Sequence, residues 1–300
     1  MEFTCIHRVT IDDVSCELGE GPIWHPVRGS WCWFDILSNC LYEYQLFSSN
    51  VAKLSQHPLP FSASAMAVCS NGQLLVALES CLASYCLETK KFTPLKELKL
   101  AEGFRTNEGG IGPNGDFWFS SMEKKPSKPN GELFSIDSNM QLANRFSGIG
   151  IANTMVFDKV RQRYYVSDSM KQQMFVCDAQ ATQIVLDNVF FDASNTPFTP
   201  DGGALDSNGN LWVALWGGHR VICLSPEGQQ VHEIKLPVPQ PTSCCFGGPN
   251  GKHLFITSAR QGLSADELKE YPLSGSSFII ELDVEGEVLP MIELNLKNAS

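Results

Sequence analysis

Six polar residues recur at one offset from a repeated apolar pair, and their types suit chemistry on a hard cation. Glu20 lies 12 residues before Cys32, Asn107 lies 11 before Trp118, Asn153 lies 12 before Tyr165 and Asp201 lies 11 before Trp212. Ser64 and Ser243 lie 11 and 12 before Leu75 and Phe255. Two carboxylates brought to one place cannot both stay ionised without compensation. A divalent cation relieves that repulsion, and Glu20, Asp201 and the Asn153 carbonyl are oxygen donors of the kind such ions take. An ion with open positions polarises a carbonyl and holds a water beside a base, so Asp201 reads as ligand and base together. Arg105, 13 before Trp118, and Asn107 would bind substrate hydroxyls or a carbonyl at the same level.

Taken one at a time, these residues have structural readings. Asp201 before Gly202 and Glu20 between Gly19 and Gly21 read as turn residues, Asn153 as a loop cap and Arg105 as a strand-end charge. Their shared register is what favours a site. No Cys or His falls at these offsets, which argues against a zinc centre built of soft ligands. His25 and His219 read as exposed or structural, and without a Gly-x-Ser-x-Gly elbow the chain offers no covalent hydrolase chemistry.

A shared register requires a repeated element, and the repeat is countable. Ser70-Asn71-Gly72, Pro113-Asn114-Gly115, Asn208-Gly209 and Pro249-Asn250-Gly251 each precede an apolar strand, and Trp31-Cys32 and Tyr164-Tyr165 keep the strand without the turn. Asn-Gly between apolar runs predicts type I′ hairpins. The anchors 32, 75, 118, 165, 212 and 255 are spaced by 43, 43, 47, 47 and 43 residues. A period in the forties with about four strands per copy is the signature of a β-propeller. The expected fold is all-β: a six-bladed β-propeller of four-stranded antiparallel blades, a single domain over residues 1–300, whose first strands line a central channel.

The N-terminal strand, Phe3 to Val9, is surplus to the first copy. It is expected to join the last blade, which ends with 278–282 and 291–294, and to close the ring, hiding two sheet edges. The clearest blade has strands near 203–206, 211–215, 220–224 and 231–236, with Asp201 at the head of the first. Two connections, 123–131 and 191–200, are longer than hairpin loops and read as binding loops or plain surface loops.

Net charge −11 and the lack of a Lys/Arg cluster exclude a nucleic-acid-binding face. Eleven cysteines, an odd number without ribbon or framework spacing, read as reduced thiols buried in strands, hence a cytoplasmic protein. The N-terminus lacks a basic start and apolar run, and no apolar stretch approaches the ~18 residues of a membrane span, so no membrane partner is expected.

The stretches Gly19-Glu20-Gly21-Pro22-Ile23-Trp24, Phe34-Asp35-Ile36, Arg105-Thr106-Asn107-Glu108-Gly109, Ile151-Ala152-Asn153, Tyr164-Tyr165-Val166-Ser167-Asp168-Ser169, Pro200-Asp201-Gly202 and Thr242-Ser243-Cys244-Cys245-Phe246-Gly247-Gly248 occur in this order. In them the chain resembles the senescence marker protein and gluconolactonase family, which includes regucalcin and the luciferin-regenerating enzyme. The resemblance implies a six-bladed propeller that hydrolyses sugar lactones with one divalent ion, Ca²⁺, Mg²⁺, Mn²⁺ or Zn²⁺. It places the metal ligands on Glu20, Asn153 and Asp201, with Asp201 as base, and the substrate contacts on Arg105 and Asn107. Three positions depart from the family pattern. Glu108 stands where Asp is usual, and Thr154 follows Asn153 where Gly is usual. Ser121-Met122-Glu123-Lys124-Lys125 replaces a more acidic stretch near the sugar, so Glu108 and Glu123 become substrate-contact candidates. The expected function is metal-dependent hydrolysis of an aldonolactone. The alternatives are a non-enzymatic calcium- or partner-binding propeller, and an esterase or lactonase acting on a non-sugar lactone or phosphotriester.

Overall fold

The structure, a computed structural model, describes residues 7–11, 13–46, 52–181 and 183–295. Six four-stranded antiparallel blades are arranged as a six-bladed β-propeller. Strand β1 (His7–Ile11) precedes them. The first blade comprises β2 (Gly19–His25), β3 (Ser30–Asp35), β4 (Cys40–Leu46) and β5 (Ala52–Pro58). The second comprises β6 (Ala63–Val68), β7 (Leu74–Leu78), β8 (Cys81–Cys86) and β9 (Lys91–Glu97). The third has β10 (Phe104–Ile111), β11 (Phe117–Glu123), β12 (Gly131–Ile136) and β13 (Leu142–Ile149). The fourth has β14 (Ala152–Asp158), β15 (Arg163–Asp168), β16 (Gln173–Asp178) and β17 (Val189–Asp192). The fifth has β18 (Thr199–Leu205), β19 (Leu211–Trp216), β20 (Arg220–Leu224) and β21 (Gln230–Lys235). In the last, β22 (Pro241–Gly247), β23 (His253–Ser258) and β24 (Ser277–Glu281) are joined by β1, which pairs antiparallel with β24 from His7 opposite Glu281 to Ile11 opposite Ser277. The N-terminal strand thus closes the ring as expected, although residues 3–6 and Cys5 lie outside the described residues. A capped helical turn, α1 (Ala265–Glu270), interrupts the connection before β24. Among the described residues no helix is long and apolar enough to cross a membrane.

Second strands are buried on both faces and therefore read as continuous apolar runs, such as Leu74-Leu75-Val76-Ala77-Leu78. Outer strands such as β9 and β13 are mostly exposed or half-buried, because they border water. The anchors of the repeat, Cys32, Leu75, Trp118, Tyr165, Trp212 and Phe255, are all buried. Burying a large side chain of this kind stabilises by about 1.5–3 kcal/mol.

Two compact units form by contact. One comprises Met1–Leu59 and Ala193–Val288, the other Pro60–Asp192 and Leu289–Ser300. In the first, Trp31 stacks on Phe255 with centroids 5.7 Å apart, and Trp212, Ile256 and Phe278 fill a second cluster. In the second, Trp118 packs against Tyr164 at 4.8 Å, and Phe117, Phe119 and Ile136 form the neighbouring cluster.

Three expectations are corrected. Residues 291–294 do not form a strand of the last blade, whose outer place β1 takes. Ile292 instead packs beside Cys69, Ile136 and Met140, and its N–H donates to the Val68 carbonyl at 2.8 Å. The Asn-Gly pairs are not type I′ turns, because φ is positive at Gly72, Gly115, Gly209 and Gly251 but at none of the preceding asparagines. At Asn208-Gly209 the reason is visible: Asp206 Oδ1 accepts from the N–H groups of Asn208 and Asn210, 2.9 Å each, which builds a longer turn needing a single left-handed residue. Finally, Asp201 is the third residue of β18 rather than its head.

Candidate active site

Every inner strand carries one extra residue at the level of its polar position. In β2 the pairing jumps from Glu20 opposite Phe34 to Ile23 opposite Cys32, and in β14 from Asn153 opposite Ser167 to Val156 opposite Tyr165. The same shift separates Thr106 from Gly109 in β10, Pro200 from Gly203 in β18, Pro241 from Cys244 in β22 and Ala63 from Ala65 in β6. A bulge breaks the two-residue alternation and re-aims the side chain beside it. Glu20 and Asn153 stand immediately before their bulges, whereas Ser64, Asn107, Asp201 and Ser243 stand within theirs.

In the first unit, β22 runs between β2 and β18. Thr242 Oγ1 donates to the Gly19 carbonyl at 2.5 Å, and the Cα of Gly202 sits so close to Ser243 that a Cβ there would strike its Oγ. Glu20 and Asp201 therefore lie on the two strands either side of β22, and are 9% and 5% exposed. Glu20 Oε2 accepts from the Gly21 N–H at 3.1 Å, and Gly21 takes φ +56 to make that turn. The strand leading to Glu20 is held by Asp35, whose two carboxylate oxygens accept from the N–H groups of Glu17 and Leu18 at 3.0 and 3.1 Å.

In the second unit, β10 runs between β6 and β14. Ser64 Oγ donates to Thr106 Oγ1 at 2.9 Å. A polar chain then crosses the strands. Arg105 Nη1 donates to Asn107 Oδ1 at 2.7 Å, Asn107 Nδ2 donates to the Ala152 carbonyl and to Asn153 Oδ1 at 2.9 and 3.0 Å, and Asn153 Nδ2 donates to Ser169 Oγ at 2.9 Å. The chain has one consistent polarity. A guanidinium only donates and a peptide carbonyl only accepts, so Asn107 must turn Oδ1 to Arg105 and Nδ2 to Ala152, and Asn153 must turn its oxygen to Asn107. Asp168 accepts from the N–H groups of Gly150 and Ile151 at 3.2 and 3.3 Å, which holds the strand leading to Asn153 as Asp35 holds that leading to Glu20.

Glu108 follows Asn107 in the bulge and is 8% exposed. Its Oε1 accepts from the Gly109 N–H at 2.9 Å, and burial pushes its carboxyl up to about 7. Glu123 ends β11 and spends its carboxylate on its own loop: Oε1 accepts from Asn130 Nδ2 at 2.8 Å, and Oε2 from the Ser127 N–H and hydroxyl at 2.9 Å each. The hydrogen bond from Asn130, with those from Ser127, holds the Glu123 carboxyl below the usual range. The long 123–131 connection is thus a tied loop. His25 is buried, and His219 meets Tyr271 edge-on at 5.1 Å.

The sequence offsets did not single out Asp35, Asp168, Ser167 or Ser169. A signal existed downstream of the anchors, since Asp35 lies 3 past Cys32 and Asp168 lies 3 past Tyr165.

Each unit carries oxygen donors of the kind a divalent cation takes. Glu20 and Asp201 offer buried carboxylates, and the polarity of the Arg105–Asn107–Asn153 chain leaves Asn153 Oδ1 a second lone pair. All are hard oxygen donors. Among the described residues no three His, Cys, Asp or Glu side chains group as a metal site.

The sequence pattern of the SMP-30/Gluconolactonase/LRE-like region matches residues 18–260. This chain belongs to that family. The family's 6-deoxy-6-sulfogluconolactonase of Pseudomonas putida is 31% identical over 279 residues, spanning 91% of this chain and 94% of its own. The L-arabinolactonase of Azospirillum brasilense is 28% identical over 274 residues, 90% of each chain. The crystal structure of a calcium-binding protein, regucalcin, from Agrobacterium tumefaciens has a TM-score of 0.88 at 29% identity and covers 95% of this chain and 97% of that one.

Proposed function

We propose that this protein is a lactonase that hydrolyses a sugar lactone to the free aldonic acid with one divalent cation, held by Glu20, Asn153 and Asp201. What carries the reading is that two buried carboxylates and an oriented amide oxygen stand at or immediately before the bulges of three inner strands, in a chain whose relatives include two named lactonases. When bound, the cation supplies Lewis-acid polarisation of the lactone carbonyl.

Asp201 takes the proton of the attacking water, and its 5% exposure keeps the carboxylate out of bulk solvent. Arg105 donates to the substrate oxygens that gain charge as the ring carbonyl becomes tetrahedral, while Asn107, whose two amide hydrogens go to the Ala152 carbonyl and Asn153, accepts from a substrate hydroxyl through Oδ1. Their mutual hydrogen bond presets them for those roles, so little reorganisation accompanies the reaction. Glu108, beside Asn107, contacts a substrate hydroxyl, and the loop tied by Glu123 stands at the end of the strand paired with Arg105. Ring opening passes the proton to the departing ring oxygen and yields the hydroxy acid.

The cation is Ca²⁺, Mg²⁺, Mn²⁺ or Zn²⁺, all of which accept oxygen ligands. We further take the chain as one domain working in the cytoplasm, because ten described cysteines are free thiols, as in a reducing compartment. A second reading, a calcium-binding propeller without turnover, is favoured by the likeness to a regucalcin described as calcium-binding.

Acid release from a panel of five- and six-membered aldonolactones separates the two. Hydrolysis that disappears on chelation, returns with added cation and is lost by more than about 10²-fold in Asp201→Ala supports the lactonase. Cation binding without turnover of any lactone would establish the binding protein instead, and wild-type rates in Asp201→Ala would remove Asp201 as base.

A further inference from the structure

Thr154 is buried at φ +47, a left-handed backbone that a β-branched residue rarely adopts. The place is not arbitrary. Gly21 holds the same position after Glu20 at φ +56, so the two bulges that directly follow their polar residue share this conformation, and in the fourth blade a threonine adopts it. Such backbone persists only where its surroundings over-determine it.

The surroundings that do so come from the second strand of the blade. Ser167, paired with Asn153 in the sheet, donates its hydroxyl to Thr154 Oγ1 at 2.8 Å. Two residues further on, Ser169 Oγ accepts from Asn153 Nδ2 at 2.9 Å while its own N–H donates to the Ile151 carbonyl at 2.9 Å. One serine thus grips the strained residue and the other grips the amide beside it. From the opposite side, the fixed polarity of Arg105 and Asn107 requires the Asn153 oxygen to face Asn107.

We propose that Ser167, Ser169 and Thr154 are positioning residues that lock the Asn153 amide in the one orientation presenting Oδ1 as a cation ligand. The hydroxyl of Thr154 does for this bulge what the absence of a side chain does at Gly21. This rests on the reading of Asn153 as a ligand. Outer partners of a metal ligand typically change affinity by about 10–100-fold when removed.

The test titrates Ca²⁺, and Mn²⁺ as a second probe, into the metal-free full chain by calorimetry and follows the cation-induced rise in Tm. Ser169→Ala and Thr154→Val are expected to weaken cation binding by about 10-fold or more, while the metal-free far-UV spectrum stays that of the wild type. Ser169→Thr, which keeps the hydroxyl, is expected to restore affinity, which a general loss of packing would not do. Should Ser169→Ala fail to fold, Thr154→Val and Ser167→Ala carry the test. Wild-type cation affinity in these variants, alongside loss of binding in Asn153→Ala, overturns the positioning role and leaves the ligand in place. Wild-type affinity in Asn153→Ala overturns the ligand assignment itself.

Discussion

Replacing Glu108 by Gln should stabilise the metal-free protein at pH 8 and leave it nearly unchanged at pH 4.5. Burial pushes this carboxyl from its ordinary 4.5 up to about 7, against one opposing hydrogen bond from Gly109. As pH rises, the unfolded chain loses this proton near 4.5, whereas the folded protein keeps it until about 7. The folded state therefore binds more protons across that window, and stability falls as pH climbs through it, then levels off above it. A gap of about 2.5 pH units at about 1.4 kcal/mol each is worth about 3 kcal/mol at pH 8. Gln has the same shape, can still accept from Gly109 and has no charge to bury, so the variant escapes this loss. Urea unfolding of both proteins at pH 4.5 and pH 8, with chelator present, reads the difference. With m near 3 kcal/mol/M the midpoint of Glu108→Gln should lie about 1 M higher at pH 8. An equal offset at both pH values, or a less stable variant at pH 8, would refute a burial-dominated carboxyl.

Gly202→Ala should destabilise by about 1–3 kcal/mol, because the new Cβ strikes Ser243 and one of the two must move; the same displacement should lower lactone turnover, and an unchanged Tm with wild-type kcat would count against the close approach. If the chain is one domain, calorimetry should show a single transition whose calorimetric and van't Hoff enthalpies agree, whereas two resolved transitions would assign the two compact units separate stabilities.

Much of the fold was legible because a propeller writes its period into the chain. The anchors recur every 43 to 47 residues since each must bury one side chain at the centre of its blade, and burial selects apolar residues regardless of the turn that precedes them. The N-terminal strand's partner followed from counting strands. The C-terminal stretch 291–294 was misplaced for a related reason: an apolar segment announces that it will be buried but not against what, and Ile292 found Cys69 and Met140 instead of β24. Turn chemistry also misled, since the Asp206 side chain, not the Asn208-Gly209 pair alone, sets the loop.

The sequence by itself determined which residues share a register, because spacing along a strand is a covalent quantity: Glu20, Asn107, Asn153 and Asp201 are set by their distance from the anchors alone. Only the tertiary structure decided how those side chains are held. A bulge is a shift in pairing between two strands and leaves no fixed residue behind, so the extra residue in each inner strand could not be read from one strand alone. The left-handed turn at Thr154 is the sharpest case. Local preference argues against a β-branched residue there, and it stands because Ser167, thirteen residues away in sequence, is within a hydrogen bond of it in the folded blade.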